Sequence, residues 1–199
     1  MIVKLFLLGR PGCGKSSATR HIIKHIQNKK MLIKRFKDFD ILKEMSEQEQ
    51  YKHSFKPTFY DGFDVIDHYV FDVALKELET RIYDYIPKAN ANEIIIIEFA
   101  RSDYVEAFQR FFSFMLQDAH VLFIDTNLDA CIQRVKQRMI KPKSTDDHYV
   151  SEEAIQKFYT EQVFPDNSKF QGKFEKIENN GSLQEFIKKV DNFVDIIFK

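Results

Sequence analysis

The chain has 199 residues, 44% of them hydrophobic and 30% charged, and its 30 basic and 30 acidic side chains cancel. That balance is ordinary for a globular protein and long enough for one well-buried core, so a single domain over 1–199 is expected. Zero net charge disfavours extended binding to a nucleic-acid backbone, no apolar run reaches the roughly 18 residues of a membrane span, and Cys13 and Cys131 form neither a C-x-x-C pair nor a disulfide framework, which fits a reducing cytoplasm.

Residues 2–8 are short, apolar and β-rich, and read as a buried strand. A helix follows from Lys15, with Ala18, Ile22 and Ile26 on one face. A second strand is expected over 31–36. The stretch 44–63 alternates polar and aromatic residues without a period. A long helix then runs to about Ile86, its stripe formed by Phe71, Leu75, Leu78, Ile82 and Tyr85, with Pro87 just beyond. "EIIIIEF", 93–99, is the clearest strand, and its four consecutive isoleucines predict burial on both faces. Asp103 opens a helix with Glu106 as capping-box partner and a stripe of Tyr104, Phe108, Phe111 and Met115. A strand over 119–125 leads to a helix carrying Leu128, Cys131, Ile132, Val135 and Met139. A polar segment precedes a helix near Ser151, and a weak strand around 173–178 precedes the last one. That last helix has a Ser182/Glu185 capping box and a stripe of Leu183, Phe186, Val190, Phe193 and Ile197. Strands alternating with helices predict an α/β fold: a parallel sheet covered on both faces.

The first turn of this pattern carries chemistry. "GRPGCGKSS", 9–17, fits G-x-x-x-x-G-K-[ST] between a predicted strand and a predicted helix. Gly9, Arg10, Pro11, Gly12, Cys13, Gly14, Lys15, Ser16 and Ser17 then form a phosphate-binding loop. Glycines let successive backbone N–H groups face one anion, and the helix adds its open N–H groups and positive dipole end. Lys15 reaches the β- and γ-phosphates, and the Ser16 hydroxyl can ligate Mg²⁺.

On these residues and the element order, the chain resembles the P-loop nucleoside/nucleotide kinase-like group, which includes adenylate, shikimate and gluconate kinases. The resemblance implies a three-layer P-loop NTPase fold with a five-stranded parallel sheet. It also implies a substrate-binding excursion after the second strand, here 38–64, and a short lid, here 139–151. The cofactors implied are ATP and Mg²⁺.

Asp38 and Asp40 follow the second strand in "RFKDFDIL", where alternation in an extended segment puts both on one side. Open α/β sheets bind ligands at the carboxyl ends of strands. Shikimate-kinase-like proteins carry a similar D-x-D, which implies that one Asp supports the metal and one orients or deprotonates the acceptor hydroxyl. A solvated loop or a helix cap is the alternative. Glu98 ends the isoleucine strand, where an isolated buried charge is costly. In P-loop proteins an acid here commonly orients the metal's water shell. Arg101, three residues on, is similar to the arginine that grips an acceptor phosphate in adenylate-type kinases, although "EFAR" lacks their Gly-Pro. A structural Glu98–Arg101 pair is the alternative. Arg134 and Arg138 stand one turn apart, where like charges repel unless an anion lies between them. With Lys141 they resemble lid arginines that neutralise the transferring phosphoryl group, the alternative being a solvated face.

The expected function is transfer of the γ-phosphoryl group of MgATP to a nucleoside, nucleotide or other hydroxylated metabolite. Catalysis would rest on Lys15, Asp38, Asp40, Glu98 and Arg138. The loop and Arg134 would bind nucleotide, Asp40 and Arg101 the acceptor, and Ser16, Asp38 and Glu98 the metal. The alternatives are a nucleotide-dependent switch acting on a protein and an RNA-end kinase.

Overall fold

The computed structural model describes residues 2–27, 31–59, 62–140, 148–164, 170 and 172–198. In chain order its elements are β1 (Ile2–Leu8), α1 (Lys15–Ile26), β2 (Leu32–Lys37), α2 (Asp38–Ser46), β3 (Phe55–Pro57), β4 (Phe63–Val65), α3 (Tyr69–Tyr85), β5 (Glu93–Phe99), α4 (Tyr104–Gln109), α5 (Ser113–Leu116), β6 (His120–Asp125), α6 (Leu128–Ile140), α7 (Glu152–Tyr159), β7 (Phe174–Glu178) and α8 (Leu183–Ile197). Five strands form one parallel sheet in the order β2-β5-β1-β6-β7, and β3 and β4 pair as a separate antiparallel ribbon.

The isoleucine strand is buried along its whole length. Its side chains alternate between two cores. Ile95 and Ile97 join Phe6 and Leu8 beneath α2, α3 and α4, while Ile94 and Ile96 join Leu5 and Leu7 beneath α1 and α8. The register that pairs Leu5 with Ile96 and Phe6 with Ile97 keeps both faces apolar. Each such side chain contributes roughly 1.5–3 kcal/mol on burial, so a strand with two apolar faces belongs at the sheet centre. The result is the expected three-layer α/β architecture.

Three elements depart from the sequence reading. Residues 38–46 are helical, with Ile41, Leu42 and Met45 buried on one face. The helix after Asp103 breaks in two. The Phe112 N–H donates to the carboxylate of buried Glu79 on α3, which takes that N–H out of the helical ladder. Asp103 does cap α4 by accepting from the Glu106 N–H at 2.9 Å, but the Glu106 carboxylate meets Arg110 instead of closing a box. The Ser182/Glu185 capping box is complete, whereas Leu183, expected in the buried stripe, is 63% exposed. At the first helical position it points past the core, which begins at Phe186. Among the described residues no helix is long and apolar enough to cross a membrane.

Candidate active site

The loop between β1 and α1 turns on glycines with positive φ. Gly12 (φ +81°) and Gly14 (φ +116°) sit so close to other parts of the chain that a Cβ would meet the Cys131 carbonyl oxygen at 2.4 Å and Asn179 Nδ2 at 2.6 Å. The glycines therefore answer to crowding behind the loop as well as to the space in front of it. The Cys13 carbonyl accepts from Thr126 Oγ1 at 3.1 Å and Asn179 Nδ2 at 2.8 Å, which fastens the back of the loop to the ends of β6 and β7. Buried Tyr104 accepts from the Gly9 N–H at 3.1 Å, and burial pushes its phenol well up. α1 starts with no side-chain cap and no acidic residue in its first turn. Its open N–H groups and positive end face the cavity. Lys15 Nζ folds back onto the Gly9 and Arg10 carbonyl oxygens at 2.6 and 3.0 Å.

Pro11, Gly12, Gly14, Lys15, Ser16 and Ser17 line a cavity of about 700 Å³, which Gly9, Arg10 and Cys13 do not. The Arg10 side chain turns away from it. Its Nε donates to the Tyr159 carbonyl at 2.6 Å and its Nη2 to the Thr160 carbonyl at 2.9 Å. The guanidinium expected at the nucleotide is thus spent on α7. The Cys13 thiol is fully buried, which raises its pKa.

Asp38 and Asp40 do not share a side. They occupy the first turn of α2, where two residues are about 200° apart around the axis. Asp38 is buried and lines the cavity, whereas Asp40 is half exposed, pairs with Lys37 at 2.8 Å and lies outside the lining. Asp40 thus lies away from the cavity lining to which its expected acceptor and catalytic roles would assign it. Burial pushes the Asp38 carboxyl up, against the opposing pull of Arg101 and Lys15.

The ion pairs also cross. Glu98 pairs not with Arg101 but with Arg35, at 2.5 and 2.9 Å, and accepts from Thr19 Oγ1 at 2.7 Å. Glu98 lines the cavity, where the charge expected to support a metal is met by Arg35, and it anchors α1 through Thr19. Arg101 donates to Asp38 Oδ2 at 2.6 Å and to the Phe71 carbonyl at 2.9 Å, and it stacks 4.5 Å from the Phe71 ring. It is 8% exposed and opens onto a second space of about 160 Å³ instead of the main cavity. It supports Asp38 from behind and is not placed to grip an acceptor in the main cavity.

Arg134 and Arg138 both line the main cavity, opposite the loop on α6. Arg134 Nη2 donates to the Asn179 carbonyl at 2.9 Å, and its Nη1 is buried with no hydrogen-bond partner among the described residues. Arg138 Nη2 donates to the His148 carbonyl at 2.5 Å. Of the expected lid 139–151, residues 141–147, which include Lys141, lie outside the described residues.

The expected substrate region 38–64 and lid 139–151 meet in an aromatic wall whose members the sequence does not single out. Phe39 stacks between His148, at 3.5 Å between ring centroids, and Phe63, at 5.5 Å, and all three line the cavity with Phe71, Phe158 and Tyr159. Sequence reading also missed Arg35 and Thr19. The alternation of Lys34 outward and Arg35 inward along β2 is a signal for the former; nothing local marks the latter.

Uridine kinases of Bacillus cereus strains are 30% identical to this chain over 166 residues, covering 75% of it and 74% of their own length. The solved APS kinase of Mycobacterium tuberculosis, in complex with AMPPNP and APS, superposes with a TM-score of 0.56 at 13% identity, covering 97% of each chain. An unliganded sugar kinase from a Janibacter species superposes with a TM-score of 0.54 at 11% identity, covering 98% of this chain and 96% of its own. No family model matches the chain. The two structural likenesses speak for the fold alone; the uridine kinases speak for common descent.

Proposed function

Because the chain belongs to the P-loop nucleoside/nucleotide kinase-like family, we propose that it transfers the γ-phosphoryl group of ATP to a hydroxyl group of a nucleoside. Kinase activity toward a small molecule follows from the family, and the switch and RNA-end readings are not favoured. One observation supports the finer reading most: a single cavity joins the open N–H groups of the loop and Lys15 to the buried Asp38 carboxylate and an aromatic wall. Phosphates fit the first end and a flat nucleobase ring fits the last.

In this reading the Lys15 ammonium exchanges the Gly9 and Arg10 carbonyls for phosphate oxygens. Arg134, with its orphaned buried Nη1, and Arg138 meet the negative charge that spreads over the transferring group. Asp38 accepts a hydrogen bond from the acceptor hydroxyl and aligns it with the γ-phosphorus. The hydroxyl oxygen bonds to phosphorus as the bond to the β–γ bridging oxygen breaks, and the hydroxyl proton passes to Asp38. The donor set also fits Mg²⁺. The Ser16 hydroxyl and the Asp38 carboxylate are hard oxygen donors lining the cavity, and no cluster of three or more His, Cys, Asp or Glu among the described residues forms an all-protein cage. That suits an ion that keeps several waters and shares phosphate oxygens. When bound, it would neutralise phosphate charge.

A second reading, an acceptor carrying its own negative charge, is favoured by Arg20 on the same cavity wall, beside Arg35 and Lys37 in their pairs with Glu98 and Asp40. One screen separates them: ATP consumption with uridine, other nucleosides, nucleoside monophosphates and hydroxylated metabolites, with the new phosphoester located by mass. Nucleoside monophosphate formed from nucleoside supports the first reading, and turnover confined to anionic acceptors supports the second. Acceptor-independent hydrolysis alone would overturn both.

A further inference from the structure

We infer that Arg10 is a positioning residue that couples occupation of the phosphate loop to the packing of α7 against the acceptor end of the cavity; this rests on the kinase reading above. Arg10 faces two ways. Its carbonyl lies inside the loop, where it accepts from the Cys13 N–H at 3.1 Å and from Lys15 Nζ at 3.0 Å. Its guanidinium leaves the loop and reaches Tyr159 and Thr160, the last residue of α7 and its C-cap. The remaining terminal nitrogen meets the Thr126 carbonyl at 3.1 Å and Asp125 Oδ1 at 3.4 Å, which fixes the fork in place over the end of β6.

The chemistry suits the position. The last carbonyls of a helix lack intrahelical partners and carry its negative end. A planar guanidinium satisfies two adjacent carbonyls at once, which a lysine ammonium does not do with the same geometry. α7 in turn contributes Ala154, Phe158 and Tyr159 to the cavity wall. The wall beside Asp38 is therefore strapped to the loop by one side chain. A phosphate that draws Lys15 off the Arg10 carbonyl acts on the residue that holds α7. Coupling of this kind is reciprocal, so an ordered α7 also favours the occupied loop.

The test is hydrogen–deuterium exchange over 152–160 in the full chain, with and without saturating Mg·AMP-PNP, alongside the nucleotide Kd by calorimetry. In the wild type the analogue should slow exchange in this segment about tenfold, within the usual range of coupling between sites. In Arg10→Gln the slowing should fall below about twofold while Kd changes less than about threefold, a split that general loosening of the fold would not produce. Should Arg10→Gln fail to fold, Arg10→Lys keeps the charge and loses the fork, and should retain less than half of the wild-type protection. Full protection in either variant overturns the inference. Analogue binding without protection of 152–160 in the wild type overturns it and leaves the kinase reading standing. No binding to the wild type overturns both.

Discussion

Asp38 is held between opposing influences. Burial favours its neutral form, while Arg101 and Lys15 favour the carboxylate. A proton acceptor at the γ-phosphoryl group needs the latter. Asp38→Asn keeps the shape and removes the charge, so kcat should fall by roughly 10²–10⁴ while affinity for the nucleotide measured without Mg²⁺ holds. Steady-state kinetics beside calorimetry read the two separately, and lost affinity with intact turnover would assign Asp38 to nucleotide binding instead. Lys15→Ala should lower phosphoryl transfer by at least about a hundredfold, measured as product formed from ATP; unchanged turnover would remove the loop from the chemistry. At this scale the phosphate loop was legible because its residues are contiguous. The ion pairs were not. Glu98 meets Arg35 and Arg101 meets Asp38, each across 63 residues of chain, and a local reading offered Glu98 its nearest cation instead.

Elements were legible where one physical rule acted alone. Four isoleucines in a row could be stable only between two apolar layers, and β5 is there. The Ser182/Glu185 box likewise follows from local hydrogen bonding. α2 is legible only as an alternative, a helix capped ahead of Ile41, because Asp38-Phe39-Asp40 also reads as the tail of a strand; Ile41, Leu42 and Met45, packed on the core beside α3, decide for the helix. The strand reading placed Asp40 beside Asp38. Two measurements belong here. Ile96→Ala should cost about 2–5 kcal/mol, the usual range for truncating a buried isoleucine, read from urea unfolding. Glu185 tests the capping box: the Ser182 N–H and hydroxyl hold its carboxyl below the ordinary value of 4.5. A lowered folded pKa gives stability that is present above the unfolded value and lost as pH falls through the folded one. Melting temperature should therefore drop less between pH 6 and pH 3 in Glu185→Gln than in the wild type; equal drops would mean the bond does not outlast fraying.

Across the whole molecule the cavity is assembled from α1, β2, α2, β4, α3, β5, α6 and α7, elements scattered along the sequence with nothing to announce a common centre. Parallel topology brings the carboxyl ends of the strands to one edge, and the segments leaving them supply the walls. Binding there should stabilise the entire fold. At a hundred times its Kd, Mg·AMP-PNP should add about 2.7 kcal/mol, a rise of roughly 5–10 °C in Tm for a chain of this size. Lys15→Ala should lose most of that rise, and an equal rise in the variant would place the nucleotide elsewhere.

Asn179 stands at the end of β7 and grips the Cys13 carbonyl across 166 residues. The back of the phosphate loop is thus fastened from the end of the last strand of the sheet. β7 lies at the margin of the sheet and β1 at its centre, so local opening of that edge strand would slacken the loop while β1 and α1 stay intact, and damage at one border of the molecule should be felt as a weaker grip on ATP in the middle of it.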